Sequence, residues 1–239
     1  MRQAIRSISF PLEVLIPEDC PDDSFRNSLS ADKVLISPLN KPGLRVLKRS
    51  FDILASTLLI VLFFPWLLPI LALLIRLDSK GPVFFLQIRH KREGKKFTCI
   101  KFRTMLENAY ADSLPASHLD NRITKVGAML RRYHWDELPQ LFNVWWGDMS
   151  LIGPRPFMTN DHQAFRILVP GYDYRHDVKP GITGLAQSLG FAGPMSDVQT
   201  LKDRISLDHY YIRHWSFTME LRILLRTLKV ISGICSNNK

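Results

Sequence analysis

The sequence predicts an α+β fold that is mostly helical and attached to a membrane. Three observations support this prediction: one long uncharged run, two short strand-like segments, and two segments whose apolar residues recur at helical spacing. The uncharged run is Ile53–Ile75, the strand-like segments are Val83–Ile88 and Phe97–Phe102, and the helical patterns begin at Leu138 and Trp215. Each of these elements is justified below in chain order.

The first 40 residues predict a variable leader without chemistry of its own. They mix short apolar pieces with Pro, Asp and Ser, and Lys41-Pro42-Gly43 ends them. No apolar core of signal-peptide length occurs there, so we expect no secretion signal. The three cysteines, Cys20, Cys99 and Cys235, have no ligand or pairing pattern, so a reducing compartment fits best.

The charge of the chain indicates an anionic partner. Lysine and arginine number 32 against 22 acidic residues, for a net charge of +10. Residues 1–40 contain four basic and six acidic residues, which leaves 28 basic and 16 acidic residues in 41–239. A field of this sign attracts nucleic acid, anionic lipid headgroups or nucleotide phosphates.

The apolar run predicts a re-entrant membrane element within residues 41–80. Its 23 uncharged residues are enough to cross a bilayer as a helix. However, Pro65 lies near the middle and Pro69 follows one turn later, so the backbone should bend there. Both flanks are basic, which favours one cytoplasmic side for both ends. We therefore predict a helix–break–helix with its break at Pro65, in preference to a spanning helix or a buried core helix.

The segment Gly81–Met105 predicts a small β-hairpin. Its two strand-like parts are joined by a charged turn containing Glu93-Gly94. In the second strand, Lys101 and Arg103 alternate with apolar residues, so both cations should share one face. That face is either a solvated strand edge or a cationic surface for phosphate groups.

The segment Arg131–Pro156 contains the residues best suited to chemistry. Asp136 and Glu137 directly precede a helical pattern that starts with Leu138-Pro139 and that Gly147 should end. A helix N-terminus favours anions and phosphates. Asp136 could simply cap the helix. With three arginines close in sequence, the acidic pair instead suits a metal ion and a phosphorylated substrate. These arginines are Arg131, Arg132 and Arg155.

The C-terminal third adds one acid and one amphipathic helix. Asp208 opens the element Leu207–Tyr211 and could be an ordinary first-turn acid. Trp215–Ile231 has one apolar stripe and one basic face, as expected of a helix at a membrane surface or in a core. The scattered histidines, including His162 and His176, are typical of surface or structural residues.

Taken together, these motifs resemble the monotopic phosphoglycosyl transferases of the bacterial sugar transferase family. The resemblance runs from about Lys48 to Lys229. Its markers are KRSFDILAS, GPVFFLQIR, KFRTM, RITKVGAMLRR, WDELPQLFNVWWGDMSLIGPRP, VKPGITGLAQ and LDHYYI. It implies transfer of sugar-1-phosphate from a UDP-sugar to polyprenyl phosphate, with release of UMP, at the cytoplasmic face of the inner membrane. Such a reaction starts the assembly of exopolysaccharide or lipopolysaccharide.

The resemblance also assigns roles to residues. It implies that Asp136 is the nucleophile and that Asp136 and Glu137 hold Mg²⁺, the expected cofactor. The expected substrate-binding residues are Lys101, Arg103, Arg131, Arg155 and Asp208, of which Arg103 rests on the strand alternation alone. One departure stands out, because the family's membrane break is commonly Ser-Pro whereas this chain has Phe64-Pro65.

The resemblance completes the predicted architecture. It implies that residues 81–239 form a catalytic domain with membrane-surface helices around a cytosolic active site. It also implies a compact form of the protein, without the four-helix membrane region of larger relatives. We expect membrane lipid as a partner, no nucleic acid, and a possible homo-oligomer. The alternative is a membrane-anchored binding or scaffold protein for anionic lipid or nucleic acid without catalysis. Nucleic-acid binding favours aromatic residues interleaved with basic ones, which this chain mostly lacks.

Overall fold

A computed structural model of the chain describes residues 36–106, 120–193 and 197–231. The helices are α1 (Pro42–Asp78), α2 (Lys125–Arg132), α3 (Gln140–Trp146), α4 (Thr159–Leu168), α5 (Leu185–Ser188), α6 (Val198–Arg213) and α7 (Phe217–Ile231). The strands are β1 (Phe84–His90), β2 (Lys96–Phe102), β3 (Ser150–Ile152) and β4 (Gly181–Thr183). The mostly helical α+β prediction is confirmed. The predicted leader falls outside the described residues except for positions 36–40.

Helix α1 contains the whole apolar run. It extends for 37 residues and continues through Pro65 and Pro69, so the predicted break into two helices is not confirmed. A proline removes one intrahelical hydrogen bond, and apolar surroundings tolerate that loss when neighbouring groups compensate. In the described part of the chain, α1 is the one helix whose length and composition would allow it to cross a membrane. Many of its apolar side chains are exposed, among them Leu54, Leu58, Leu62, Trp66, Ile70 and Leu77.

Both ends of α1 are attached to the same folded body. Near its start, Lys48 Nζ lies 2.8 Å from Glu220 Oε2 in α7, and both side chains are buried. At its end, Asp78 Oδ2 accepts a hydrogen bond of 2.9 Å from the backbone N–H of Val126 in α2. The two flanks of the apolar run are therefore held by one domain.

The hairpin is confirmed. Strands β1 and β2 pair antiparallel from Phe84 opposite Phe102 to His90 opposite Lys96. The turn between them is left-handed at Glu93 (φ 63°) and Gly94 (φ 67°), a conformation that glycine adopts without steric cost. Phe84 and Phe102 stack with their ring centroids 5.6 Å apart.

Helix α3 is aligned against this hairpin by one buried asparagine. Asn143 Oδ1 accepts from the backbone N–H of Ile100 at 3.0 Å, and Asn143 Nδ2 donates to the carbonyl of Thr98 at 2.7 Å. The helix ends at Gly147 (φ 96°), as predicted. A 3₁₀ turn, Trp135–Glu137, precedes α3 and therefore lies close to β2.

Strands β3 and β4 pair in parallel, with Ser150 opposite Gly181 and Ile152 opposite Thr183. A side chain at Gly181 would clash, because its Cβ would lie 2.1 Å from the backbone nitrogen of Gly153. This close approach fixes the segment that leads from β3 to Arg155.

Helix α7 has a mixed environment. Glu220 and Ile223 are buried, so one face packs into the core. The opposite apolar stripe is exposed and consists of Phe217, Leu221, Leu225 and Leu228. The amphipathic pattern predicted from sequence is therefore confirmed, with a large part of its apolar surface left uncovered.

Candidate active site

The centre of the site is the buried carboxylate of Glu137. Its Oε1 accepts from Lys101 Nζ at 2.6 Å and from Arg155 Nη2 at 2.6 Å, and its Oε2 accepts from Arg155 Nη1 at 3.0 Å. Burial alone would raise the pKa of Glu137, but the charges of Arg155 and Lys101 outweigh burial and hold it well below the ordinary glutamate value. The carboxylate is therefore ionised and binds two cations together.

The neighbouring Asp136 has a different environment. It is partly buried, and within the described residues no ion pair or hydrogen bond reaches its carboxylate. Burial raises the pKa of Asp136, and the adjacent negative charge of Glu137 raises it further. An unpartnered carboxylate next to a group of cations is suited to attack phosphorus.

Arg131 and Lys101 supply positive charge close to Asp136. The charges of both residues oppose the rise in the pKa of Asp136, which places them near its carboxylate. Arg131 is oriented by Thr104, because its Nε donates to Thr104 Oγ1 at 2.8 Å. The left-handed backbone of His134 (φ 57°) forms the turn between α2 and the acidic pair.

Asp208 supports Arg155 through an intermediate residue, Arg175. It is buried in α6, and its Oδ2 accepts from Arg175 Nη2 at 2.8 Å. The same nitrogen donates to the backbone carbonyl of Arg155 at 2.6 Å, and the Arg175 guanidinium lies 3.9 Å from the centroid of the Phe157 ring. Burial raises the pKa of Asp208, while Arg175 opposes that rise. Asp208 therefore positions Arg155 in this geometry and does not itself join the acidic pair.

Arg103 does not join the cluster. Its side chain is buried and donates to the carbonyls of Ile75, Ser79 and Lys80 at the C-terminal end of α1. The prediction that Arg103 and Lys101 share one cationic strand face is therefore wrong. Strand β2 ends at Phe102, and the exposed carbonyls of a helix C-terminus attract a guanidinium.

Comparison with known proteins shows the family of the chain. Residues 43–233 match the family described as bacterial sugar transferase. The chain belongs to the bacterial sugar transferase family. The resemblance in the sequence motifs is thereby confirmed, and the match includes every predicted site residue.

Three relatives of the chain have names that describe a function. A Klebsiella pneumoniae protein, 44% identical over 80% of this chain, is named UDP-glucose:undecaprenyl-phosphate glucose-1-phosphate transferase. A Caulobacter vibrioides protein of the same name is 42% identical over 80% of the chain. A Rhizobium leguminosarum protein, 43% identical over 77% of the chain, is named exopolysaccharide production protein PSS. The chain covers 41%, 72% and 94% of these three relatives, respectively, so it spans about two fifths of the Klebsiella protein.

One residue that no sequence pattern indicated is Arg204. It is 3% exposed, yet its Nε and Nη2 atoms have no hydrogen-bond partner. Burial lowers its pKa to about 9, and the charge of Arg155 contributes. A buried guanidinium with open donors is suited to an anionic ligand. In the sequence Arg204 is one charge among several on α6, so no local signal distinguished it.

The predicted Mg²⁺ fits one of its two expected ligands better than the other. Asp136 offers an unpartnered carboxylate, and Mg²⁺ is commonly held by one or two carboxylates together with substrate phosphates. Glu137 has both oxygens hydrogen-bonded to Lys101 and Arg155. The acidic pair therefore suits Mg²⁺ through Asp136, with Glu137 acting on the cations.

The residue before Pro65, commonly serine in the family, makes an aromatic contact in this chain. Pro65 is exposed on α1, whereas the preceding Phe64 is buried. Phe64 packs edge-on against Phe142 of α3, with ring centroids 4.9 Å apart. The residue before the proline therefore attaches α1 to the helix that follows the acidic pair.

Proposed function

We propose that this protein transfers sugar-1-phosphate from a UDP-sugar to polyprenyl phosphate and releases UMP. The observation that supports this proposal most directly is the unpartnered carboxylate of Asp136 beside the cations that Glu137 holds. UDP-glucose is the first donor to test, because the Klebsiella and Caulobacter relatives carry it in their names. The name of the Rhizobium relative favours exopolysaccharide as the product pathway.

The proposed reaction has two displacements at the same phosphorus. In the first, a carboxylate oxygen of Asp136 bonds to the phosphorus that carries the sugar. The bond from this phosphorus to the bridging oxygen breaks, and UMP leaves with that oxygen and its electron pair. In the second, an oxygen of polyprenyl phosphate attacks the aspartyl phosphosugar, and the Asp136 carboxylate is regenerated. The product is a polyprenyl diphosphate sugar.

The cations stabilise the charge that moves during both displacements. Lys101 and Arg155 keep fixed positions through Glu137, and Arg131 keeps its position through Thr104. Donors that are oriented before the reaction stabilise developing negative charge without reorganising. Bound Mg²⁺ would neutralise part of the diphosphate charge.

We also propose a re-entrant placement of α1, in which the helix bends at Pro65 and Pro69 so that both of its ends lie at the cytoplasmic face. The 30 steps from Lys48 to Asp78 correspond to about 45 Å of helix, more than the roughly 30 Å of hydrocarbon in a bilayer. A helix spanning the membrane would separate these two residues, yet both contact the same domain. The exposed stripe of α7 then lies at the lipid surface.

Membrane placement is tested with two cysteine variants. We expect Arg45→Cys and Phe85→Cys, each in a chain whose natural cysteines are replaced by serine, to be shielded from a membrane-impermeant thiol reagent in intact cells. Both should react after the cells are lysed. Labelling of one position but not the other in intact cells would show a spanning helix.

The reaction is tested by incubating the purified protein with labelled UDP-glucose, polyprenyl phosphate and Mg²⁺. We expect lipid-linked sugar and stoichiometric UMP. With donor alone, a hexose phosphate should appear on the tryptic peptide that extends from Tyr133 to Arg166. Lipid binding without product or adduct, across a panel of UDP-sugars, would favour the non-catalytic scaffold instead.

A further inference from the structure

A second cluster of ligating side chains lies outside the acidic pair. His162 belongs to α4, and Asp173 and His176 belong to the 3₁₀ segment Tyr172–Asp177. One ligand atom from each of the three residues lies within 4.8 Å of the others. No sequence pattern connects them, because His162 and Asp173 are separated by a helix end and a turn.

The three side chains are oriented so that one atom of each faces a common point. Arg166 Nη2 lies 2.7 Å from Asp173 Oδ2, which leaves Oδ1 facing the histidines. His162 Nδ1 lies 3.4 Å from the hydroxyl of Tyr172, which leaves its Nε2 facing Asp173. His162 Nε2 and His176 Nδ1 are each 4.0 Å from Asp173 Oδ1.

We propose that His162, Asp173 and His176 form a binding site for a divalent transition metal, with Zn²⁺ as the best match. Two imidazole nitrogens and one carboxylate oxygen are ligands that Zn²⁺ accepts, whereas Mg²⁺ prefers oxygen alone. Zinc–ligand bonds of about 2.0–2.2 Å require ligand atoms about 3.3 Å apart in a tetrahedron. The separations here exceed that by about an ångström, which side-chain rotation can close because Asp173 is exposed and the histidines are half-buried.

The surroundings of the histidines favour metal ligation over protonation. Burial lowers the pKa of His162, and burial together with Arg175 lowers that of His176 to about 4, so both rings are neutral near pH 7. A metal-binding histidine is usually oriented by a hydrogen bond from its second ring nitrogen, and in His162 that nitrogen lies 3.4 Å from the Tyr172 hydroxyl. His90 stacks on His162 with centroids 4.4 Å apart and rings 22° from parallel, so it supports the ring and is not a ligand.

The position of the site links it to the acidic pair. The metal would connect α4 to the 3₁₀ segment, and Arg175 lies between Asp173 and His176 in that segment. Arg175 in turn holds Asp208 and the backbone carbonyl of Arg155. Metal binding is therefore expected to stiffen the support of Arg155. Only this last consequence rests on the proposed function, because metal binding itself is independent of catalysis.

The test uses tag-free, chelator-treated protein titrated with Co²⁺, which gives intense visible absorption in tetrahedral sites. We expect absorption that saturates near one equivalent and that Zn²⁺ abolishes. His162→Gln and His176→Gln should each remove it, whereas His214→Gln, at an exposed histidine directly after α6, should keep it. Asp136→Asn should also keep it, which separates this site from the predicted Mg²⁺ site.

Thermal unfolding gives a second readout that does not depend on activity. Zn²⁺ should raise the midpoint of the wild type and of His214→Gln but not that of His176→Gln, because a ligand stabilises only a chain that binds it when folded. Circular dichroism shows whether each variant is folded. Two results would overturn the proposal. One is wild-type protein that neither absorbs with Co²⁺ nor is stabilised by Zn²⁺, and the other is an unchanged signal in both His162→Gln and His176→Gln.

Discussion

Replacing Glu137 with glutamine tests the physical basis of the site. The change keeps the shape of the side chain and removes the charge that holds Lys101 and Arg155 together. Removing one partner of a buried ion pair costs about 3–5 kcal/mol, because the other charge stays buried without compensation. The side chains of Lys101 and Arg155 are 16% and 28% exposed, so partial solvation favours the lower end, about 3 kcal/mol.

The expected loss can be measured by thermal unfolding in detergent. For a chain of this size, about 3 kcal/mol corresponds to a midpoint lower by roughly 6–12 °C at pH 7. Glu93→Gln is the matched control. It has the same chemistry, but Glu93 is exposed, and its ion pairs within the described residues are with Lys95 and Arg92 at the surface. Its midpoint should equal that of the wild type, since exposed pairs contribute little.

The pH dependence separates charge from shape. The folded-state pKa of Glu137 is depressed, so its stabilisation is fully present above the unfolded value of about 4.5 and is lost as the pH falls below it. The difference between wild type and Glu137→Gln should therefore be greatest at neutral pH and shrink in acid. Equal midpoints at pH 7 would refute the role of Glu137 as the anchor of the cations. A constant difference from pH 7 into the acid range would assign the loss to packing.

Four further predictions follow from the same geometry. Asp136→Asn should abolish UMP release and the aspartyl adduct without lowering the unfolding midpoint, because burial already disfavours that charge. In the pH profile of wild-type kcat/KM, the acidic limb should lie above the ordinary aspartate pKa of 3.8, since Asp136 must be ionised to attack and its pKa is raised. An acidic limb at or below pH 3.8 would contradict this. Arg204→Met should lower kcat/KM while leaving or raising the unfolding midpoint, because the guanidinium is buried with two atoms unpartnered. A lower midpoint with unchanged kcat/KM would instead make Arg204 a structural residue. Arg103→Met should do the opposite, lowering the midpoint with KM for donor unchanged, and a raised KM would return Arg103 to the substrate site.

Local sequence patterns predicted the elements with short-range causes. The hairpin followed from alternating strands around Glu93-Gly94, and both observed strands lie within two residues of their predicted bounds. The end of α3 at Gly147 followed from the left-handed conformation that glycine permits. These features depend on residues close in the chain, so one sequence contains enough information to place them.

The surroundings of several charged residues depend on tertiary contacts, which the sequence alone could not predict. Arg103 and Lys101 looked equivalent on one strand, but the end of α1 offers carbonyls to Arg103, whereas Glu137 offers a carboxylate to Lys101. The buried environment of Arg204 likewise depends on how α6 packs, which its own sequence does not reveal. In each case the partner lies more than 20 residues away or on another element.

The position of Glu137 explains how one carboxylate can occupy the cations without blocking them. An ammonium and a guanidinium each carry more N–H donors than Glu137 uses, so both retain donors for phosphate oxygens. Without the carboxylate, two buried positive charges would repel each other and turn toward solvent. With it, they stay at fixed positions beside Asp136, and the backbone of Arg155 is held from the other side by Arg175. Glu137 therefore occupies some of the donors of Lys101 and Arg155, and by doing so it holds both cations in place for a diphosphate.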